Sequence, residues 1–481
     1  MSAFATAERR RREELLALRD HLRDQDQPQP KTTDEPVVVQ PPAQQPYPPP
    51  PHALAERKPH DDDDQRSGSR QDIRGSAGEA VLSPPTLDDP ALYGLAGRIV
   101  RSLAPHSEAD PVALLLQFLA AFGNLAGPGP HSLVGSTRHG LNLFVILVGE
   151  SSKARKGTSW RQIAGLFTEV DHPWITHRVT THRPTANTVL QALHDQQPPT
   201  DRRLFLLSEE FASILHLLGR ETGQLSPLLR CAWDGGDLSA HDGRRLLHAT
   251  AAHISLVGHV TQSELLHHIG RTESHNGFAN RCLWTSVHRS QSLPNGGALP
   301  PHELSALAHE LLHALDWIHA QTSLQFRRTP AAQELWNHRY PSLSQGRPNV
   351  YGAATSRAEA QVLRLSTIYS ALDRSPEVDV CHLQAALAVW DYCRASARLF
   401  FDTAPIDPAA SRISQALDVN PKGLSKTQIR GLFHKHISKE RIDLALQQLI
   451  SQGLIYDQTS PGPGRHATLW AKVSKAADAT P

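Results

Sequence analysis

Cysteine is scarce in this chain of 481 residues, and the four present (Cys231, Cys282, Cys381 and Cys393) include no CxxC pair. They lie too far apart for a disulfide framework or a zinc knuckle, so a reducing, cytoplasmic setting is expected. An apolar run of about 18 residues, the length needed to span a bilayer, is missing as well. The N-terminus carries Glu8, Arg9 to Arg12, Glu13 and Glu14 instead of the apolar core of a secretory signal. No membrane partner is expected. Charge of one sign is also absent: 49 Lys and Arg stand against 48 Asp and Glu, a net of +1. That balance excludes a uniformly basic nucleic-acid coat, so any DNA contact must be local.

What is present divides by composition. Residues 1–26 read as a charged helix with a thin stripe of Leu15, Leu16, Leu18 and Leu22. Residues 27–85 are rich in Pro, Gln and Asp, with PYPPPP at 46–51 and DDDD at 61–64. Such a segment cannot bury enough apolar surface to offset ordering and is expected to be a disordered tether. From 86 to 300 the pattern is helix, then strand–turn–helix. From 301 to 404 it is helical, with apolar stripes at Leu304, Leu307, Leu311, Leu315 and Ile318 and at Val362, Leu365, Ile368 and Leu372.

Leu141 to Val148 (LNLFVILV) has the character of a buried parallel strand. It runs directly into Gly149, then Arg155, Lys156, Gly157, Thr158 and Ser159, and a helical segment to Val170. A strand, a glycine-led loop with a lysine and hydroxyls, and a helix form a recipe for holding a triphosphate. Loop N–H groups and the helix end face the phosphates, the lysine reaches the β/γ oxygens, and a hydroxyl ligates Mg²⁺. The spacing is irregular: Gly149 to Lys156 is one residue longer than usual, Arg155 stands where a glycine is usual, and Gly157 precedes Thr158. A surface loop rich in Lys, Ser and Gly is the competing reading.

A second strand, Arg203 to Ser208, ends in Glu209 and Glu210. Carboxylates at the C-terminal end of a parallel strand can hold Mg²⁺ and position water; Glu209 is assigned to the metal and Glu210 to the water. A third, Ala252 to His259, puts His259 or Thr261 in reach of a γ-phosphate. Arg281, between an amide-rich turn and an apolar strand, is a candidate finger for its own or a neighbouring subunit's site. In each case a plain structural role competes: an acidic helix start, a hydrogen-bonded histidine, a salt bridge.

Taken together, GESSKARKGTSW at 149–160, LFLLSEEFASIL at 204–215, LSPLLRCAWDGGDL at 225–238, HISLVGHVTQSEL at 253–265 and NGFANRCLW at 276–284 resemble one family. SRAEAQVLRLSTIYSALD at 356–373 and HLQAALAVWDYCRASARLFF at 382–401 continue the likeness. The family comprises RecA-like P-loop ATPases without an assigned activity. They are encoded in plasmids, phages and integrated elements, often beside or fused to primase–polymerase domains. The resemblance implies an α/β, RecA-like core with a parallel sheet and helical additions, and a RepA-like hexameric helicase or related DNA-dependent ATPase that works with ATP and Mg²⁺. It carries Lys156 and Thr158 as phosphate and Mg²⁺ residues, Glu209 and Glu210 as the acidic pair, and Arg281 as the finger. Homo-oligomers and primase or other replication proteins are the implied partners.

Residues 405–475 read as a winged helix: a helix at 409–417, one capped by Ser425 with Gln428, one capped by Ser438, and two strands making a wing. From residue 405 onward there are ten Lys or Arg and six Asp or Glu, a net of +4. Lys435, Lys439, Arg441 and Arg465 are the expected DNA contacts; a protein-docking role competes. Two alternatives remain for the whole chain. One is a non-hydrolysing DNA-binding regulator or replication-initiation adaptor with a degenerate P-loop. The other is a zinc metalloprotease, from the HExxH of His309, Glu310 and His313.

Overall fold

In the computed structural model the described residues run from 84 to 472, apart from 196–200, 219–222, 243–244, 270–276, 322, 348, 403–407, 434–436, 452–453 and 461–466. The expected N-terminal helix and nearly all of the expected tether lie outside them.

The chain enters through α1 (Gly94–Leu103) and α2 (Pro111–Leu125), then a hairpin of β1 (His131–Val134) and β2 (Thr137–Gly140). Next come β3 (Phe144–Val148), α3 (Lys156–Val170), α4 (His172–His177), β4 (Val179–Thr180), α5 (Ala186–Leu193) and β5 (Arg203–Ser208). They are followed by α6 (Phe211–Leu218), α7 (Leu225–Trp233), the antiparallel pair β6 (Leu238–Asp242) and β7 (Arg245–Ala249), β8 (His253–Val260), α8 (Gln262–Ile269) and β9 (Cys282–Ser286). Five of the strands form a parallel sheet in the order β4-β5-β8-β3-β9. The fold is therefore α/β.

Every residue of β3 is buried, as a parallel strand covered on both faces requires. Its side chains alternate between two separate cores. Val145 and Leu147 join Phe205, Leu207, Val257 and Leu283 on one face, under α2 and α3. Phe144, Ile146 and Val148 join Leu204, Leu206, Leu256 and Trp284 on the other, under α5, α6 and α7. The two-residue period of a strand is what sorts them.

Helix α2 is buried at 14 of its 15 positions, so it acts as a core element and not as an amphipathic cover. A Cβ on Gly123 would stand 2.1 Å from the Leu141 carbonyl oxygen, so only glycine permits that approach. The next residue, Asn124, fastens α2 to the amino end of the sheet. Its amide donates to the carbonyls of Leu204 and His253 (3.1 Å each) and its oxygen accepts from the Trp174 indole at 3.0 Å.

Residues 301–401 provide α9 (Pro301–His319), β10 (Gln325–Arg328), α10 (Pro330–Leu343), α11 (Asn349–Thr355), α12 (Ala358–Leu372), β11 (Glu377–Val378) and α13 (Val380–Phe401). The sequence suggests a purely helical layer here, and the structure departs from that. Strands β10 and β11 join β1 and β2 in a second, four-stranded sheet ordered β11-β10-β1-β2. These short strands carry exposed polar residues, which hides them from a search for apolar runs. Leu311, Leu315, Val362, Leu365 and Ile368 also lie in the same core as Val145 and Leu147. This region completes the core instead of packing onto a finished one.

The last segment has a core of its own, built from Ala409, Ile413, Leu417, Ile429, Ile442, Leu446 and Leu449. It contains α14 (Pro408–Asp418), β12 (Leu424–Ser425), α15 (Lys426–Gly431), α16 (Lys439–Ser451), β13 (Ile455–Ser460) and β14 (Ala467–Lys472), with an antiparallel sheet ordered β12-β14-β13. Ser425 and Gln428 form a reciprocal capping box. The Ser438 hydroxyl accepts from the Arg441 N–H at 3.3 Å, which starts α16. Burial of Ile442, Leu446 and Leu449 contributes about 1.5–3 kcal/mol each. Among the described residues no helix is long and apolar enough to cross a membrane.

Candidate functional site

Strand β3 lies between β8 and β9, while the strands that directly follow it in sequence, β4 and β5, lie beyond β8. Connections therefore leave β3 and its neighbours toward opposite sides, and such a reversal opens a crevice at the carboxyl ends of the strands. Gly149 begins the loop there. Its N–H donates to the Val260 carbonyl at 3.1 Å, and the Val287 N–H donates to Val148 at 2.9 Å, so both neighbouring strands hold the exit of β3. A Cβ on Gly149 would lie 2.3 Å from the Val287 carbonyl oxygen and 2.8 Å from the Ala154 methyl, which makes glycine necessary.

The loop turns through Ser152 (φ 59°) and Arg155 (φ 52°), both left-handed although neither is glycine. Each costs about 1–2 kcal/mol, a strain the surrounding contacts must hold. Arg155 precedes α3, and no side chain caps the helix. From the first position of α3, the Lys156 ammonium folds back and donates to the carbonyls of Gly149 (2.6 Å) and Glu150 (3.1 Å). Burial lowers the Lys156 pKa, and the carboxylate of Glu264 opposes that shift. Gly157 and Thr158 follow, half-buried in the first turn.

Strand β5 brings Glu209 to the same place: a Cβ on Gly157 would stand 3.5 Å from Glu209 Oε1. Glu210 is exposed, and its carbonyl accepts from the Ser213 N–H (3.0 Å) and hydroxyl (2.9 Å) at the start of α6. Lys156, Gly157 and Glu209 thus meet at the head of α3, with Glu210 one residue further along the chain.

His259 pairs in register with Leu147, near the carboxyl end of β8. It is buried, and burial first and the Lys156 charge second push its pKa down to about 3, so the ring is neutral near pH 7. Its Nε2 is 3.4 Å from Gln117 Oε1. The Gln117 amide donates to the Ser159 hydroxyl at 2.5 Å, and that hydroxyl donates to the Lys156 carbonyl at 2.6 Å. Gln117 was missed in the sequence because it looks like one more position in an apolar helix. The signal is that it is one of two amides, with Asn124, in an otherwise apolar helix.

Several sequence expectations are corrected by this geometry. Ser159 is fully buried, and its hydroxyl is occupied by Gln117 and the Lys156 carbonyl, so it is no phosphate contact here. The Arg155 Nε is 2.7 Å from Glu108, which also pairs with Arg289. Arg281 precedes β9, where Cys282 pairs with Phe144 and Ser286 with Val148. Five residues at about 3.3 Å each put it on the order of 15 Å from the level of the loop, at the amino edge of the sheet. Its guanidinium is held by Asp234 and the Gly277 carbonyl, both at 2.5 Å, so it is not a finger for its own chain's loop. Thr261 is bonded to Glu264 through its N–H (3.0 Å) and hydroxyl (2.8 Å). With Gly149, Glu150, Ser151 and Ser286 it borders a cleft of about 450 Å³ beside the loop.

His309 and His313 lie on α9 with their Nε2 atoms 3.3 Å apart, but Glu310 is ion-paired with Arg98. Among the described residues no group of three or more His, Cys, Asp or Glu is placed to hold a metal. The protease reading therefore lacks a third ligand and a free base. In the C-terminal segment Lys439 and Arg441 are exposed on the first turn of α16, while Lys435 and Arg465 lie outside the described residues. Lys426 pairs with Asp443 and Lys472 with Asp418, so part of the basic excess is neutralised internally.

No family model matches the chain, and no curated protein matches it.

Proposed function

We propose that this protein binds ATP with Mg²⁺ at the loop 149–158 and hydrolyses it as a DNA-associated, helicase-like or replication-associated motor with a RecA-like core. One observation carries the reading: the Lys156 ammonium lies over the Gly149 and Glu150 carbonyls at the head of an uncapped 15-residue helix, with the Glu209 carboxylate beside Gly157. A lysine on two carbonyls can exchange them for phosphate oxygens, which accept stronger, charge-assisted bonds. The uncapped first turn offers N–H groups and the positive end of the helix dipole to the same anion. The strand order supports this reading, because the loop leaves the sheet at its reversal point.

In this arrangement Lys156 would hold the β- and γ-phosphates, and Thr158 and Glu209 would hold Mg²⁺, which would neutralise charge on the transferred group. Glu210 orients the attacking water. His259, neutral and hydrogen-bonded to Gln117, can donate or accept a hydrogen bond near the γ-phosphate but does not carry charge. The three helices and antiparallel sheet after residue 408 support a winged-helix reading, with α16 placed in the major groove through Lys439 and Arg441. ATP turnover measured with and without single-stranded DNA tests the whole proposal. Stimulated turnover is the expected result, and absence of both nucleotide binding and turnover would overturn it.

A further inference from the structure

The amino edge of the sheet, opposite the loop, carries a cluster that the nucleotide reading does not use. Arg281, Arg357 and Arg364 surround the ring of Trp233, with guanidinium carbons 5.6, 5.4 and 3.8 Å from its centroid. Their partner is Asp234, the residue that ends α7. Its Oδ2 accepts from Arg281 at 2.5 Å and its Oδ1 from Arg357 at 3.2 Å, so each oxygen serves one guanidinium. Arg364 is fully buried and donates to the Trp233 carbonyl at 2.6 Å and to Asn142 Oδ1 at 2.6 Å.

Three observations point to a guest. Among the described residues Asp234 is the carboxylate that pairs with Arg281 and Arg357, so three guanidiniums gather around one negative charge. Arg281 and Arg364 are buried and Arg357 is partly exposed, and buried like charges drawn together need more counter-charge than one carboxylate supplies. Arg281 Nε, Arg364 Nε and Trp233 Nε1 have no hydrogen-bond partner among the described residues, although these side chains are 6%, 1% and 1% exposed. Such atoms can only donate, so what would satisfy them is a hydrogen-bond acceptor, and the surrounding positive charge favours an anionic one. Finally, α12 begins just after Arg357, with no side-chain cap, and adds the positive end of a 15-residue helix.

We propose that Arg281, Arg357 and Arg364 on Trp233 form a site for a phosphate-class oxyanion, with the Asp234 carboxylate occupying part of its seat. The Asp234 side chain is 42% exposed and sits at a helix end, so it can turn outward while two guanidiniums exchange a carboxylate for a tetrahedral dianion. Inorganic phosphate and the terminal phosphate of a nucleotide share this chemistry. The site is independent of the loop 149–158 and lies at the other end of the strands.

Calorimetric titration of the full chain with inorganic phosphate and with ATP tests the assignment. Lys156→Ala is the background, so that binding at the loop is removed. Asp234→Asn should tighten oxyanion binding about tenfold and Arg357→Gln should weaken it about tenfold, with melting temperatures recorded for both. Phosphate binding that Arg357→Gln weakens about tenfold identifies the free ion as the source. ATP binding without phosphate binding, again weakened in Arg357→Gln, identifies the nucleotide. If neither binds the Lys156→Ala protein or its Asp234→Asn derivative up to about 10 mM, the proposal is wrong. Binding that a folded Arg357→Gln protein retains in full also overturns it.

Discussion

The ammonium of Lys156 donates to the carbonyl of Gly149 at 2.6 Å, across the mouth of the loop that joins them. A phosphate must take that place. Lys156→Ala should therefore weaken ATP binding by about 1.5–3 kcal/mol, tenfold or more, in a titration with labelled nucleotide. An unchanged affinity would show that the loop 149–158 is not the phosphate site.

The two carboxylates after β5 should separate binding from turnover. Glu210→Gln is expected to keep ATP affinity and lose most turnover, while Glu209→Gln should weaken Mg²⁺-dependent binding as well. Steady-state rates and nucleotide titrations on the two variants decide the roles, and the opposite pattern would reverse the assignment.

His259 gives a pH dependence of stability with a definite sign. Its folded pKa is about 3 against an ordinary 6.5, so between these values the unfolded chain binds a proton that the folded chain refuses. Stability is unaffected by this group above pH 6.5 and falls as pH drops through the window, by about 1.4 kcal/mol per pH unit. His253, lowered to about 4 by burial, adds to the slope in the same direction. Denaturant melts from pH 7.5 to 5 should show a shallower slope for His259→Asn; an identical slope would mean that the ring titrates normally.

Gln117 is expected to matter more than its place in an apolar helix suggests. Gln117→Leu leaves the Ser159 hydroxyl and the His259 ring without their buried partner and should cost about 1–3 kcal/mol of stability. If Gln117→Leu stabilises the protein in urea melts, the chain from His259 to Ser159 does not support the loop.

Duplex DNA binding should depend on the first turn of α16. Lys439→Ala with Arg441→Ala should weaken it by about 1–3 kcal/mol, and raising salt should weaken wild type more than the variant. Gel-shift titrations of the full chain at two salt concentrations provide the measurement. Equal binding by both proteins would point to a protein-docking module instead.

Strands β3, β5, β8 and β9 were legible in the sequence because a strand buried on both faces is mostly apolar, even where β8 also buries His253, Ser255 and His259. The helix starts at Ser425 and Ser438 were legible from their capping side chains. Strands β1, β2, β10 and β11 were not, because strands of two to four residues leave no period to detect, and β1 even buries His131 and Ser132 while exposing Leu133 and Val134. Leu141 to Leu143 looked like strand and is buried coil, since Asn142 there bonds Arg364 instead of a ladder partner. The site divides in the same way. Lys156 and Glu209 could be paired because each follows a strand end. Arg281 could not be placed, because it precedes its strand and the sequence does not say which edge of the sheet a turn occupies.

The sorting of β3 side chains into two cores makes the sheet a partition between neighbourhoods that share a backbone but few side-chain contacts. Trimming Val145 opens space beside Val257 and Leu283, and trimming Ile146, its immediate neighbour in the chain, opens space beside Leu256 and Trp284. The two losses should combine almost additively despite adjacency in sequence, because separate cores relax separately. Nearness along this strand is therefore a poor guide to which residues can compensate for one another, and the face a residue occupies is the better one.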